Sequence, residues 1–434
     1  MFFLCMKQMN TIFIFCVIAF TLSIDYSLSL ISLQAYWTAT GGNPKLSGLA
    51  FGLYDGSTIV LTPLIAWLIY SKKITYRYVF AVSLVVNIFG NVVYSLAFLV
   101  NSWIMVLVGR GIAGMGASVL PLMMVYIADK MPESEQKNAV GFIKYISALS
   151  RVVGPILGSL FSAIVFHNDV FNLYTLVGWI PVFLGILTLG LLGRWSEVLF
   201  TESLRSGLNF LEIMKIFWPA LMVGFVSTFI YWLFMGNIFL IATHYFHIVG
   251  GEHELGKLYY AGVVGFFVAF VCFLCLRDSL ASIGGLWVSV ILLSGSACLY
   301  LWNVEIVFHF AVGMTTFSYG LMIPSINILN NNLAKKSKFI LGKSMGLSIT
   351  LLTVFQSLAR FIGPTCFSFG ISVVNDINCT FEDHYVTNGC KLDGFGVSAI
   401  CYICVSFLLM IIGSVYLGKK LGNNDSVLHP LVEV

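Results

Sequence analysis

Apolar residues along this chain gather into blocks of about 20 or more, the length an α-helix needs to cross a bilayer, and polar residues are confined to the breaks between them. Such blocks fall near 10–33, 47–70, 78–100, 102–126, 139–165 and 172–192, and resume near 216–242, 256–276, 280–301, 306–330, 340–370 and 395–417. Lipid offers no partner for a bare peptide group, so each block is read as a spanning helix, which makes twelve. Only two polar breaks are long, at 193–215 and 374–394. The first divides the spans six and six. The expected organisation is therefore all-α and polytopic: a six-helix bundle over 1–192, a cytoplasmic linker over 193–215, and a second six-helix bundle over 216–434, with an outer loop at 374–394 and a short cytoplasmic tail. The first block has one basic residue ahead of it and no small-x-small cleavage site before Asp25, so it reads as a span and not as a removed signal.

Composition narrows the picture. Of 434 residues, 59% are hydrophobic and 10% charged, and the mean hydropathy of +0.94 rules out a chain of soluble domains. The spans hold no paired His/Glu metal motif, no nucleotide loop and no Ser or Cys nucleophile beside a histidine, so neither an enzyme nor a metal or cofactor is expected. A formal charge of +4 with no basic domain gives no reason to expect nucleic acid. The distribution of charge says more. With both termini in the cytoplasm, seventeen Lys and Arg fall on the inner side, Lys144 among them, and three on the outer side. That bias sets the orientation. The outer loop then carries the glycosylation sequon at Asn378 and the two cysteines, Cys379 and Cys390, that are placed to form a disulfide. Trp37, Trp103, Trp195 and Trp302 fall at predicted membrane borders, where indoles anchor.

A repeat joins the halves. SRVVGPILG at 150–158 and ARFIGPTCF at 359–367 each put an arginine three residues before a Gly-Pro pair, in spans five and eleven. Two parallel six-helix halves with the site between them is the plan of many secondary transporters. RGIAGMG at 110–116 and GPILG at 154–158 resemble the fourth- and fifth-span motifs of the major facilitator superfamily, and the resemblance covers the whole chain. Within it, LVGRGIAGMGAS, the YIADKMPESEQ loop and the ARFIGP run are similar to a lysosomal subfamily linked to ceroid lipofuscinosis and reported to carry chloride. The resemblance implies twelve helices, a lysosomal or endosomal membrane and a transported solute. One departure stands out. The loop after span two reads Ala66-Trp-Leu-Ile-Tyr-Ser-Lys72-Lys73, without the family's glycine and aspartate.

Five ionisable residues lie deep in spans: Asp25, Asp55, Arg110, Arg151 and Arg360. Facing lipid at mid-depth each would cost on the order of 3 kcal/mol, so they are expected to face the interior and to pair. Asp25, Asp55 and Arg110 share a depth of about 12 Å below the outer surface at 1.5 Å per residue. Asp25 and Arg110 are the expected partners. Two readings stay open for the carboxylates, a proton acceptor tuned by Arg110 and a fixed salt bridge. Arg360 follows Thr353 and Gln356 on one helical face, a lining suited to a polar solute. Three arginines against two aspartates leave one positive charge over, which favours an anion held by Arg110, Arg151, Arg360 and Gln356. The alternative is that each arginine caps carbonyls freed by its proline. Gly154-Pro155 and Gly363-Pro364 are expected to bend their helices and to admit a neighbour closely. The glycines of span four read first as close helix contact.

The function expected is a monomeric solute carrier for a small anion, chloride or an organic anion, working by alternating access with proton coupling as an option. A chloride-permeable channel on the same scaffold and a non-transporting receptor or scaffold are the alternatives.

Overall fold

The computed structural model describes residues 2–43, 46–70, 73–131, 133–162, 170–195, 210–235, 260–272, 283–300, 304–336 and 351–365, with a few isolated positions beyond. They form helices with no strand among the described residues. In chain order these are α1 (Phe2–Ala39), α2 (Ser47–Tyr70), α3 (Tyr76–Leu96), α4 (Trp103–Ala117), α5 (Val119–Lys130), α6 (Glu133–Ser162) and α7 (Leu173–Gly193). The second half contributes α8 (Phe210–Met235), α9 (Tyr260–Cys272), α10 (Ile283–Leu299), α11 (Glu305–Lys336) and α12 (351–365). Seven of the described helical stretches are long and apolar enough to cross a membrane. The twelfth predicted span, the outer loop with Asn378, Cys379 and Cys390, and Trp302 lie outside the described residues, save isolated positions of that span.

Local chemistry explains several boundaries. The span predicted at 102–126 is split into α4 and α5 at Ser118, because Pro121 has no N–H to offer the carbonyl one turn back. Helix α7 starts at a capping box in which Asn172 Oδ1 accepts from the amides of Tyr174 and Thr175, while the Thr175 hydroxyl accepts from the Asn172 amide. Asn101 takes φ 49° in the tight turn into α4, a conformation that asparagine tolerates. Helix α8 begins at Phe210, within the stretch read from the sequence as linker.

In the first half, α1 packs against α6 and α7, α3 against α4 and α7, and α2 against α4; in the second, α11 packs on α8 and α10. The closest helix approaches are made at glycines. Gly114 of α4 approaches the backbone of α2 at Tyr54, and Gly116 approaches α3 at Ser83 and Asn87, so RGIAGMG lets α4 sit between two neighbours. Two of the border tryptophans depart from expectation. Trp37 is 1% and Trp195 3% exposed. Their indole N–H groups donate to the Asn43 carbonyl at 2.7 Å and to Thr11 Oγ1 at 3.1 Å, and Trp195 packs with Phe15, Phe80 and Tyr126. A satisfied N–H removes the reason for an indole to stay at the headgroups.

Helix α6 runs on through Pro155, and Pro364 is the last residue but one of the described α12. In each, the carbonyl that loses its donor is that of the arginine four residues earlier, Arg151 or Arg360. The glycine beside each proline lies against the first helix of its own half. Gly154 meets Ser27 and Leu28 of α1, and Gly363 meets Phe229 and Leu233 of α8. The two halves thus share a packing motif as well as a sequence motif.

Candidate functional site

Asp25 sits in the middle of α1, and its carboxylate is closed in by three other helices. Arg110 of α4 donates from Nη1 to Oδ1 at 3.4 Å. Oδ2 accepts from Asn87 Nδ2 at 2.8 Å, Asn91 Nδ2 at 3.1 Å and the Tyr54 hydroxyl at 3.2 Å. Both partners of the ion pair are 1% exposed. The guanidinium lies over the Tyr54 ring at 4.5 Å and near the Tyr94 ring at 6.0 Å, so aromatic faces cover what the carboxylate does not. Arg110 Nε and Nη2 have no hydrogen-bond partner. Asn87 and Asn91 were not picked out from the sequence. The signal was there, as two amides one helical turn apart inside an apolar span.

Other buried hydroxyls of α1 also meet protein. Thr21 bonds Thr188 of α7 at 2.8 Å, Ser27 donates to the Ser150 carbonyl of α6 at 3.0 Å, and Ser29 donates back to its own helix.

Asp55 has a different partner. Its Oδ1 accepts from Arg360 Nε at 2.7 Å, across 305 residues and from one half to the other. Arg360 Nη2 also donates to Ser357 Oγ at 2.8 Å, while Asp55 Oδ2 has no hydrogen-bond partner. Gln356, one turn before Arg360, is 4% exposed with its Nε2 unpartnered. Around this ion pair the first half of α2 and the end of α12 at Thr365 are in close contact. Gly52 and Gly56 face Phe361, and Thr365 donates to the Gly48 carbonyl at 3.4 Å.

Between the halves lies a cavity of about 30 Å³, bordered by Leu30 of α1, Arg151 of α6, Trp232 and Met235 of α8, Phe266 of α9 and Thr316 of α11. That is room for a water or an ion of similar size. Its walls are mostly apolar, with polar atoms from Arg151, Thr316, Tyr231 and the Trp232 indole. Arg151 is half-buried and has no acidic or hydrogen-bonding partner among the described residues. Nearby, the Tyr26 ring leans on Trp232 at 5.2 Å and on Tyr54 at 5.4 Å. Its buried hydroxyl has no partner and lies within electrostatic reach of Asp55, Arg360, Arg110 and Arg151. Sequence reasoning also passed over Tyr26, since a tyrosine in an aromatic-rich chain gives no warning.

The five buried charges thus divide into two sets. Asp25 and Arg110 form a sealed pair inside the first half. Asp55, Arg360 and Arg151 stand where the halves meet, together with Tyr26. That second arrangement can hold an anion, because it offers guanidinium groups and a free hydroxyl against a single carboxylate. No group of His, Cys, Asp and Glu capable of holding a metal occurs among the described residues.

Known proteins agree on the scaffold. Among curated relatives, an MFS-type transporter of Schizosaccharomyces pombe is 26% identical over 168 residues, 36% of this chain and 33% of that protein. An SPX domain-containing membrane protein of Arabidopsis thaliana is 34% identical over 125 residues, 28% of this chain and 17% of that protein. The chain therefore spans a third or less of the length of these relatives. Solved structures align nearly end to end at low identity. A bacterial homolog of the human lysosomal transporter Spinster gives a TM-score of 0.65 at 12% identity, covering 97% of this chain and 98% of that one. The human organic anion transporter MFSD10 gives 0.64 at 14%, covering 93% and 99%. A D-xylose-proton symporter gives 0.68 at 13%, covering 96% and 99%. With a fold shared over almost the full chain and the superfamily's own sequence profile matching residues 14–364, the chain belongs to the Major Facilitator Superfamily.

Proposed function

We propose that the protein is a secondary carrier that moves a small anion by alternating access, binding it in the cavity between the halves. The observation that carries this reading is Arg151. It is a permanent cation at the border of an apolar cavity, with no acid beside it among the described residues. An uncompensated guanidinium in such surroundings is stabilised by an anion more strongly than by any neutral solute. Arg360 and Gln356 extend the site toward α2, where Asp55 competes for the same guanidinium. Arg110 plays a structural part in this reading, held by Asp25.

The closed contact between α2 and α12 favours a carrier over a channel, since a channel requires both ends of the path to open together. A chloride-permeable pore remains the second reading, supported by the missing glycine and aspartate after span two. The endolysosomal location rests on the resemblance of the RGIAGMG, YIADKMPESEQ and ARFIGP stretches. If protons are coupled, Asp55 is the better placed carboxylate, because one of its oxygens is free at the interface.

The test is uptake into proteoliposomes. Arg151→Gln should lower anion uptake about tenfold or more, while the protein stays monodisperse and keeps its melting temperature. Unchanged uptake would remove Arg151 from the site. Saturable flux with trans-stimulation supports the carrier. Currents that reverse with the chloride gradient, at turnover too fast for one conformational cycle per ion, support the pore.

A further inference from the structure

Lys144 was counted among the cytoplasmic lysines, yet it belongs to the interior set. It lies on α6 seven residues before Arg151, two turns along the same face and about 10 Å lower along the axis. Its side chain is half-buried and within electrostatic reach of both Arg151 and Arg360. It makes no ion pair or hydrogen bond with any described residue. Beside it, Tyr145 meets Phe270 of α9, so this part of α6 also faces the opposite half.

The charge balance of the interior changes as a result. Lys144, Arg110, Arg151 and Arg360 stand against Asp25 and Asp55. Among the described residues two cations are left without a counter-charge, and they are the two on α6. Like charges placed this way repel, and the low dielectric around them strengthens the repulsion. Two such groups on one face of α6 favour a ligand that meets both. One chloride or one monocarboxylate settles only half of that charge. A solute with two negative groups settles all of it.

We infer that the cavity is built for an organic dianion, whose two charged groups, or one doubly charged group, are shared between Arg151 and Lys144 of α6. This rests on the anion-carrier reading. Arg151 holds one charge at the cavity, and the long, flexible Lys144 closes on the other from the cytoplasmic side. The aromatic and aliphatic walls at Trp232, Phe266 and Met235 cover the carbon skeleton between them. The cavity in this conformation is smaller than such a solute, so binding requires the halves to part, as alternating access demands. Lys144 is then the residue that separates dianions from monoanions.

The experiment is uptake by the full chain in proteoliposomes, with succinate and butyrate as four-carbon dianion and monoanion and glycerol phosphate as the phosphate arm. Succinate or glycerol phosphate should be taken up with a half-saturating concentration at least tenfold below that of butyrate. The better of the two assigns the dianion as a dicarboxylate or a phosphate monoester. Lys144→Gln should bring the ratio to butyrate close to one, and Lys144→Arg should restore it. Thermal stabilisation of detergent-solubilised protein by succinate, lost in Lys144→Gln, provides a second readout that needs no turnover. Butyrate or chloride moving as well as succinate in the unmodified protein would overturn the inference and leave the anion carrier standing. So would a Lys144→Gln variant that loses all substrates equally. Uptake of no anion at all would remove both.

Discussion

Arg110 has an ion-pair partner on one side and tyrosine rings on two others, and two of its nitrogens already lack hydrogen bonds. Such a group tolerates little further loss. Asp25→Asn keeps the shape of the side chain but leaves a guanidinium buried without a counter-charge, a change that typically costs about 3–5 kcal/mol. We expect a clear fall in the melting temperature of the detergent-solubilised protein, and partial recovery when Arg110→Gln is added. The pH dependence of transport through the residual folded protein should match that of the unmodified chain, because the carboxylate is engaged at both oxygens and 1% exposed. A flattened profile would return Asp25 to proton coupling. The pair was legible from shared depth alone. Asn87, Asn91 and Tyr54, which turn the pair into a closed network, were not, because depth along a helix says nothing about which face of a third helix turns inward.

Helices α6 and α12 carry the same motif and use it in the same way, each laying a glycine against the first helix of its half. The contacts differ in tightness. A methyl at position 154 would overlap the Ser27 side chain, whereas one at position 363 would lie 3.2 Å from Leu233 N and Phe229 O. Overpacking of this kind usually costs about 1–3 kcal/mol. Gly154→Ala should therefore lower the melting temperature by more than Gly363→Ala does, and equal effects would mean that α1 shifts to make room. The repeat itself was visible as a spacing along the chain. The sequence left bending, capping and close approach open, and the neighbours of each glycine support close approach.

Across the molecule, one ion pair joins residues 305 positions apart and ties α2 of the first half to α12 of the second. If the pair holds the expected outer end closed, Asp55→Asn should open it. A cysteine placed at Thr365 should then react several-fold faster with a membrane-impermeant thiol reagent applied from the outer side, read by peptide mass. An unchanged rate would leave the pair as a passive contact. An anionic solute that draws Arg360 from Asp55 would act in the same direction as the substitution, which links binding to the opening of the halves.

Block length, charge bias and the doubled Gly-Pro motif were enough to read a helical membrane protein, its expected orientation and its superfamily. Those properties follow from constraints each segment meets alone, since a helix must match the hydrocarbon thickness and a lysine must avoid the wrong side wherever its neighbours lie. Partnership is another matter. That Arg110 takes Asp25 and that Arg360 crosses to Asp55 both depend on how helices far apart in sequence turn about their axes. Packing sets that rotation, and electrostatic energy in a low dielectric depends on the few ångströms it decides.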